Sequence, residues 1–376
     1  MHAGHFSVQA AVGPVGRVRL GVVMRVDAVA RNVTRDLDDL PGGGILLEHA
    51  TRHTAAFSID SDQPCLALRI GIDLGGTKIV ATALDGSDEV VRLRTDTPRG
   101  DYGKTLEAIT NLVAAVEDFV QQRRPQGNGG RASIGVGIPG TISASSGLVK
   151  NANSTWLIDQ PLREDLETRL GRPVRIANDA NCFAISEATD GAAAGAEVVF
   201  GVIIGTGVGG GIVVHGHLVG GMNGIAGEWG HNPLPMPDAN DEPLPQCYCG
   251  NRGCIETFLS GPGMSADHEK VSAVKLLPPE IVEAAASGDA AADATLQRYE
   301  QRMARALAGV INVLDPDVIV LGGGMSNIAR LYTNVPRLWR QYVFCAGADE
   351  LRTRLVAAKH GDASGVRGAA WLWPIR

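Results

Sequence analysis

Aromatic residues are scarce in this 376-residue chain: 7 Phe, 5 Trp and 5 Tyr make up only 5% of it. Base is not in excess either. Against 34 Lys and Arg stand 41 Asp and Glu, a formal net charge of −7 with a pI near 5.7. A protein that grips a nucleic-acid backbone by charge needs the opposite sign, so no nucleic-acid partner is expected. No apolar run reaches the roughly 18 residues of a bilayer-spanning helix, which excludes an integral membrane protein. Cysteine is limited to six residues, and the opening MHAGHFSVQA has no basic stretch leading into an apolar run. A secreted, disulfide-stapled fold is therefore not expected, and a cytoplasmic location is. Hydrophobic residues make up 44%, which excludes disorder of the whole chain. What is abundant is glycine, 48 residues in clusters, as expected of loops that approach a ligand closely.

The length suggests two domains and an extra segment. Residues 1–68 hold six Arg, seven Asp or Glu, no Lys and four of the nine His, without a sustained periodic pattern. They are expected to form a poorly ordered extension. From Arg69 the pattern changes. Ile70–Leu74, Lys78–Asp85 and Glu89–Thr95 read as a three-strand meander with turns at Gly75-Gly76 and Asp85-Gly86. Leu106, Ile109, Leu112, Val113, Val116 and Val120 fall on one face of a helix over 106–120, followed by a glycine-rich loop at 127–130. Ser133–Ile138, Val174–Ala177, Val198–Ile204 and Val318–Leu321 read as buried strands, 162–170 as a helix closed by Gly171, and 281–313 as largely helical. This alternation predicts two α/β lobes, at 69–185 and 186–376.

Four motifs carry chemistry. In Asp73-Leu74-Gly75-Gly76-Thr77-Lys78 the glycines let backbone N–H groups face a phosphate. Thr77 adds a hydroxyl, Lys78 a positive charge, and Asp73 a carboxylate for hydrated Mg²⁺. An ordinary hairpin is the plain alternative. The second loop, Gly205-Thr206-Gly207-Val208-Gly209-Gly210-Gly211, formally contains GxGxxG. In both, a strand follows the glycines where a dinucleotide fold would start a helix. Two strand–glycine–strand turns point to duplicated lobes with a nucleotide between them. Third, Asn178-Asp179 closes a strand. Asp179 at a cleft would serve as general base for a sugar hydroxyl, while helix capping is the plain alternative.

Fourth, His231, Cys247, Cys249 and Cys254 offer one imidazole and three thiolates, the donor set of a closed tetrahedral Zn²⁺ site. The 231–256 segment that carries them is rich in proline, so a metal clip would order it. With four protein ligands such a metal is structural. Buried free thiols are the alternative. Glu228 and Glu256 bracket the cluster as hydroxyl acceptors for a sugar, or as plain surface charge.

These motifs together resemble the ROK family of sugar kinases. Asp73–Lys78 and Gly205–Gly211 match its two phosphate motifs, Glu228-Trp229-Gly230-His231 its E-x-G-H sugar motif, and Cys247–Glu256 its C-x-C-G-x-x-G-C-x-E zinc motif. The match covers residues 69–376. The resemblance implies an actin-like, hexokinase-type (ribonuclease H-like) pair of α/β lobes with a structural zinc loop. It also implies an enzyme that uses ATP and Mg²⁺ on a hexose, and a homodimer. Asp179 would be the catalytic base. Asn153, Asn178, Glu228, His231 and Glu256 would contact the sugar. Asp73, Gly75, Gly76, Thr77, Lys78, Gly205, Thr206, Gly207, Gly209 and Gly210 would hold the nucleotide, with Gly322, Gly323 and Gly324 near the adenosine. Within the family the stretches 149–156, 227–235 and 359–374 resemble bacterial fructokinases that also accept mannose. That implies conversion of fructose to fructose 6-phosphate. Kinases for glucose or N-acetylhexosamines, and a sugar-responsive repressor, are the alternatives. Residues 1–68 have no counterpart in these kinases.

Overall fold

The computed structural model describes residues 46–50, 68–123, 131–345 and 350–373. The expected loop at 127–130 and most of the expected N-terminal extension lie outside the described residues.

The first lobe is a six-stranded sheet in the order β1-β4-β3-β2-β5-β8. Its strands are β1 (Leu46–Ala50), β2 (Arg69–Leu74), β3 (Lys78–Asp85), β4 (Asp88–Asp96), β5 (Ser133–Ile138) and β8 (Val174–Asn178). The short pair β6 (Thr141–Ile142) and β7 (Val149–Lys150) forms a separate hairpin. β3 runs antiparallel to β2 and β4, whereas β5 and β8 extend the sheet in parallel. The second lobe repeats the plan in the order β11-β10-β9-β12-β13. These are β9 (Val198–Ile204), β10 (Val208–Val214), β11 (His217–Leu218), β12 (Val318–Gly322) and β13 (Arg354–Ala357). Again one strand, β9, has an antiparallel meander on one side and parallel strands on the other.

Helices α1 (Tyr102–Arg123) and α2 (Leu162–Leu170) cover the outer face of the first sheet. The apolar spacing predicts α1 from residue 106. It begins a turn earlier because Asp101 Oδ1 accepts from Lys104 N at 2.9 Å, a cap worth about 1 kcal/mol. α2 ends at Gly171, whose φ of 62° suits the left-handed conformation that closes a helix. The outer face of the second sheet carries α4 (Ile255–Leu259), α5 (Gly261–Ser272), α6 (Pro278–Ala286), α7 (Ala290–Leu314) and α8 (Leu331–Leu338). The expected helix over 281–313 is thus two helices, broken at Gly288, which has a φ of 92°.

Two helices fill the space between the sheets: α3 (Asp179–Thr189) and α9 (Ser364–Trp371). They explain many glycines. In Ile70-Gly71-Ile72 and Ile134-Gly135-Val136 the branched residues face the outer core and the glycines face α9. A Cβ on Gly71 would meet Val366 O at 2.0 Å, and one on Gly135 would meet Ala369 O at 1.9 Å. These glycines approach a helix, not a ligand as their abundance suggested.

Two expected boundaries shift. β1, which falls in the extension, pairs with β4 through Leu46↔Arg94 and Ala50↔Val91 and completes the sheet. α9, which falls in the 186–376 lobe, returns to pack on β2 and β5 of the first sheet. The sequence alternation reports strands and helices in order, but not which sheet a terminal helix joins.

Candidate active site

β2, β8 and β10 come together around the start of α3, where Asp73 and Glu228 couple to Asp179 by charge and Gly209 lies against Ala180. β8 ends at Asn178, and α3 starts at Asp179. Asn178 is the N-cap: its Oδ1 accepts from Ala180 N at 2.8 Å. Capping is therefore met by Asn178, and Asp179 stands one residue inside the helix. Asp179 also accepts from Ala180 N, at 2.7 Å. Its side chain is reached by solvent, yet the cleft walls surround it. This desolvation pushes the carboxyl pKa above the ordinary range, the Ala180 N–H opposes it, and the charge of Glu228 adds to it. Asp73, at the end of β2, is pushed up to about 6, first by burial and then by the charge of Asp179, with Lys78 acting against both. Two carboxylates and one ammonium thus share a small volume. Such a pair favours a divalent cation or a proton.

The first glycine turn leads from Asp73 to Lys78. Its tightness is visible at Gly75, where a Cβ would lie 2.9 Å from Lys78 O. Thr77 and Lys78 are exposed. Ser154, next to Asn153, lies beside Gly76, which brings the 153–154 segment to this turn. Asn153 itself is exposed and is held through its backbone N–H to Pro139 O at 3.1 Å.

The second turn is shorter than the sequence suggests. Only Gly205, Thr206 and Gly207 form it, closed by Gly205 N to Gly207 O at 2.9 Å. Gly209 and Gly210, expected to hold the nucleotide, lie inside β10. A Cβ on Gly210 would meet Trp229 at 2.8 Å, and one on Gly209 would meet Ala180 Cβ at 3.2 Å. They are glycines because a buried indole and α3 press on the strand. Gly322 and Gly323 are likewise supports, the first under the Phe183 ring and the second, at φ 79°, against Ile204 O. The next residue, Gly324, does line a cavity of about 890 Å³ that opens at Gly205 and Thr206. Ser265, Glu269, Lys275, Leu277 and Pro278 are among the residues of its walls. Sequence reading missed these five. They sit on α5, α6 and the turn between them, where no motif marks them.

Below the second turn lies the cysteine cluster. The donor atoms of His231, Cys247, Cys249 and Cys254 all fall within 4.8 Å of one another. Cys247 Sγ is 3.6 Å from His231 Nδ1, and Cys249 Sγ is 3.6 Å from Cys254 Sγ. Tetrahedral Zn²⁺ with bonds near 2.0–2.3 Å spaces its ligands by about 3.6–3.8 Å, so the residues fit the metal. Asn251 N–H, the leading cause, helps lower the Cys249 thiol to about 7, toward the thiolate a metal needs. The loop is also clamped independently of any metal. Asp241, almost fully buried, pairs with Arg302 at 2.7 Å and Arg305 at 2.8 Å on α7.

His231 turns its other nitrogen to the Tyr248 hydroxyl at 3.0 Å. Glu228 and Glu256 are close enough for their charges to reach that hydroxyl. Glu256 accepts from Val208 N at 2.9 Å and so braces the second turn rather than standing free. Asn178 serves both sides of the junction: its Oδ1 caps α3, and its amide N–H₂ donates to the Asp179 carboxylate. The sugar-contact candidates other than Asn153 therefore follow one another from Asp179 through Glu228 to Tyr248, His231 and Glu256.

Two lobes of this duplicated α/β plan, joined by central helices and facing each other across paired glycine turns, define the actin-like, hexokinase-type class. The model of the ROK family matches residues 69–376, and the chain belongs to that family. It is 40% identical over 308 residues to an N-acetyl-D-glucosamine kinase of Photobacterium profundum, covering 80% of this chain and 98% of that one. Its fold superposes on the ROK hexokinase of Thermus thermophilus with a TM-score of 0.71 at 30% identity, over 81% and 97% of the two chains. The ROK family glucokinase of Streptomyces griseus, solved with glucose and AMPPNP, gives 0.62 at 28%, over 81% and 98%. The specific likeness to fructokinases is not confirmed by these comparisons. The structure supplies a reason: the 359–374 stretch contributes α9 and its supports, not sugar-facing residues. There Lys359 N and Ser364 Oγ bond the buried carboxylate of Glu187 at 3.0 and 2.8 Å. Similarity there reports packing around Glu187.

Proposed function

We propose that this chain transfers the γ-phosphoryl group of ATP to a primary hydroxyl of N-acetyl-D-glucosamine. One observation carries the reading. Asp179 sits at the first position of α3, where Asn178 is the N-cap, with its proton affinity raised and with Asp73 and Glu228 close enough to couple to it by charge. That is the environment of a general base tuned toward neutral pH. The choice of sugar rests on the 40% identity to N-acetyl-D-glucosamine kinases along nearly their whole length.

In this reading the nucleoside occupies the cavity beside Gly205 and Thr206, and the phosphates reach across to Gly75–Lys78. Asp73 holds Mg²⁺, which when bound neutralises phosphate charge. Asp179 orients the sugar hydroxyl and takes its proton as the oxygen attacks in line. Positioning and charge provide most of the acceleration, as in phosphoryl transfer generally. Glu228, His231 and Glu256 face the other hydroxyls, and His231, Cys247, Cys249 and Cys254 would hold Zn²⁺, which would fix the imidazole. ADP release measured over a panel of hexoses tests the reading. We expect the highest kcat/KM for N-acetyl-D-glucosamine. A higher value for fructose would restore fructose as the substrate, and no release with any hexose would remove the kinase reading.

A further inference from the structure

We propose that Arg99 is a positioning residue that acts on the nucleotide through Thr77. The inference rests on the reading of Gly75–Lys78 as the phosphate turn. β4 ends at Asp96, and the chain then folds back over that turn. Four hydrogen bonds result. Thr97 N donates to Thr77 O at 2.9 Å and Thr97 Oγ1 to Gly75 O at 2.7 Å. Arg99 Nε donates to Gly76 O at 2.8 Å and its Nη2 to Thr77 Oγ1 at 2.7 Å.

The polarity of these bonds is the argument. All three carbonyls of the turn are drawn outward to Thr97 and Arg99. The N–H groups of Gly76 and Thr77 have no acceptor among the described residues. A backbone arranged this way presents donors, and no acceptors, to an anion. Guanidinium has donors only, so Thr77 Oγ1 must accept from Arg99. The Thr77 proton is then free to point elsewhere, and the positive charge behind it makes the hydroxyl a stronger donor. Arg99 has no carboxylate within ion-pair distance among the described residues, so its charge is not spent on another side chain. Arg99 therefore presets both the backbone and the hydroxyl of the turn before ATP arrives.

Steady-state kinetics of the full chain with ATP and its best hexose test this, with thermal melts to confirm folding. The variants are Arg99→Met, Thr77→Val and the double variant. We expect Arg99→Met to raise the ATP KM about tenfold, as loss of a charge-assisted bond implies. The hexose KM should stay within about twofold. In the Thr77→Val background, Arg99→Met should add less than about twofold, because the two act as one unit. Equal rises in both KM values would overturn the inference in favour of general loop disorder. Effects of the two changes that multiply independently would overturn it too, while leaving the phosphate turn standing. An unchanged ATP KM in Thr77→Val would remove the phosphate-turn reading and the inference with it. Arg99→Lys gives a second measurement if Arg99→Met fails to fold. One ammonium cannot bond Gly76 O and Thr77 Oγ1 in the same fork, so a smaller rise confined to ATP is expected. A rise in the hexose KM alone would count against the inference.

Discussion

The two lobes share a plan but hold their glycine turns differently. In the first, the turn after β2 is pinned from behind by Thr97 and Arg99 and carries Asp73, Thr77 and Lys78 on its face. In the second, the turn after β9 is pinned by the Glu256 carboxylate and carries no charge of its own. It opens on an apolar-walled cavity. The duplicated scaffold thus divides the labour. Under the proposed function, one lobe manages phosphate charge and the other houses a nucleoside body, its turn tied to the cysteine cluster through the α4 helix. A single scaffold can do both because the turns, not the sheets, carry the difference.

The sharpest way to break this division is at the cleft. Asp179→Asn should lower kcat by at least about 10²-fold, equivalent to roughly 3 kcal/mol of barrier. The melting temperature should hardly move, since Asn178 caps α3. Single-turnover rates at saturating ATP and sugar check this, and a rate close to wild type would return Asp179 to a structural role. Next comes the cluster under the second turn. Metal analysis should find one Zn²⁺ per chain. Cys249→Ser should cost several kcal/mol of stability and raise the hexose KM more than the ATP KM, because His231 loses its anchor.

Packing between the lobes comes third. Gly71→Ala drives a methyl into Val366 O and should destabilise by about 1–3 kcal/mol. Gly205→Ala meets nothing within 4 Å. It should leave the melting temperature unchanged while altering the ATP KM. Equal stability losses at both would show that the second turn is packed rather than open.

Asp73→Asn should act in opposite directions on stability and function. Asp73 holds its proton more tightly folded than unfolded, with its pKa raised to about 6 from 3.8. The folded state is therefore unpenalised below about pH 4 and loses stability as pH rises through 6. Asparagine should raise stability at pH 7.5 by on the order of 1–2 kcal/mol, leave it unchanged near pH 3.5, and weaken Mg²⁺–ATP binding. Denaturant melts at the two pH values decide the sign. The smallest effect is expected from removing residues 1–67. The chain should keep its activity, with a modest fall in melting temperature as β1 leaves the edge of β4. A loss of soluble protein would show that the first sheet depends on β1.

Much of this was legible in the residues themselves. The alternation in Arg69–Leu74 and Ser133–Ile138, the apolar stripe of α1 and the closing Gly171 are local signals, and each element is found within a few residues of its expected bounds. The cysteine spacing also brings its four donors together. Less legible were Gly209, Gly210, Gly322 and Gly323. A glycine that admits a phosphate and one that admits an indole or a helix look the same in one dimension. Thr97 and Arg99 carried no motif because their role lies in bonding a turn some 20 residues earlier.

By itself, the sequence determined where strands, turns and metal donors fall, because those depend on side-chain period, backbone freedom and ligand chemistry within a short span. Only the tertiary structure decided that Asn178 is the N-cap and shares the Ala180 N–H with Asp179, that α9 returns to the first sheet, and that Glu256 braces the second turn. Each of these is a contact across the fold or a choice between neighbouring residues. It is settled by which groups come within hydrogen-bonding or van der Waals distance once both lobes close on their two central helices.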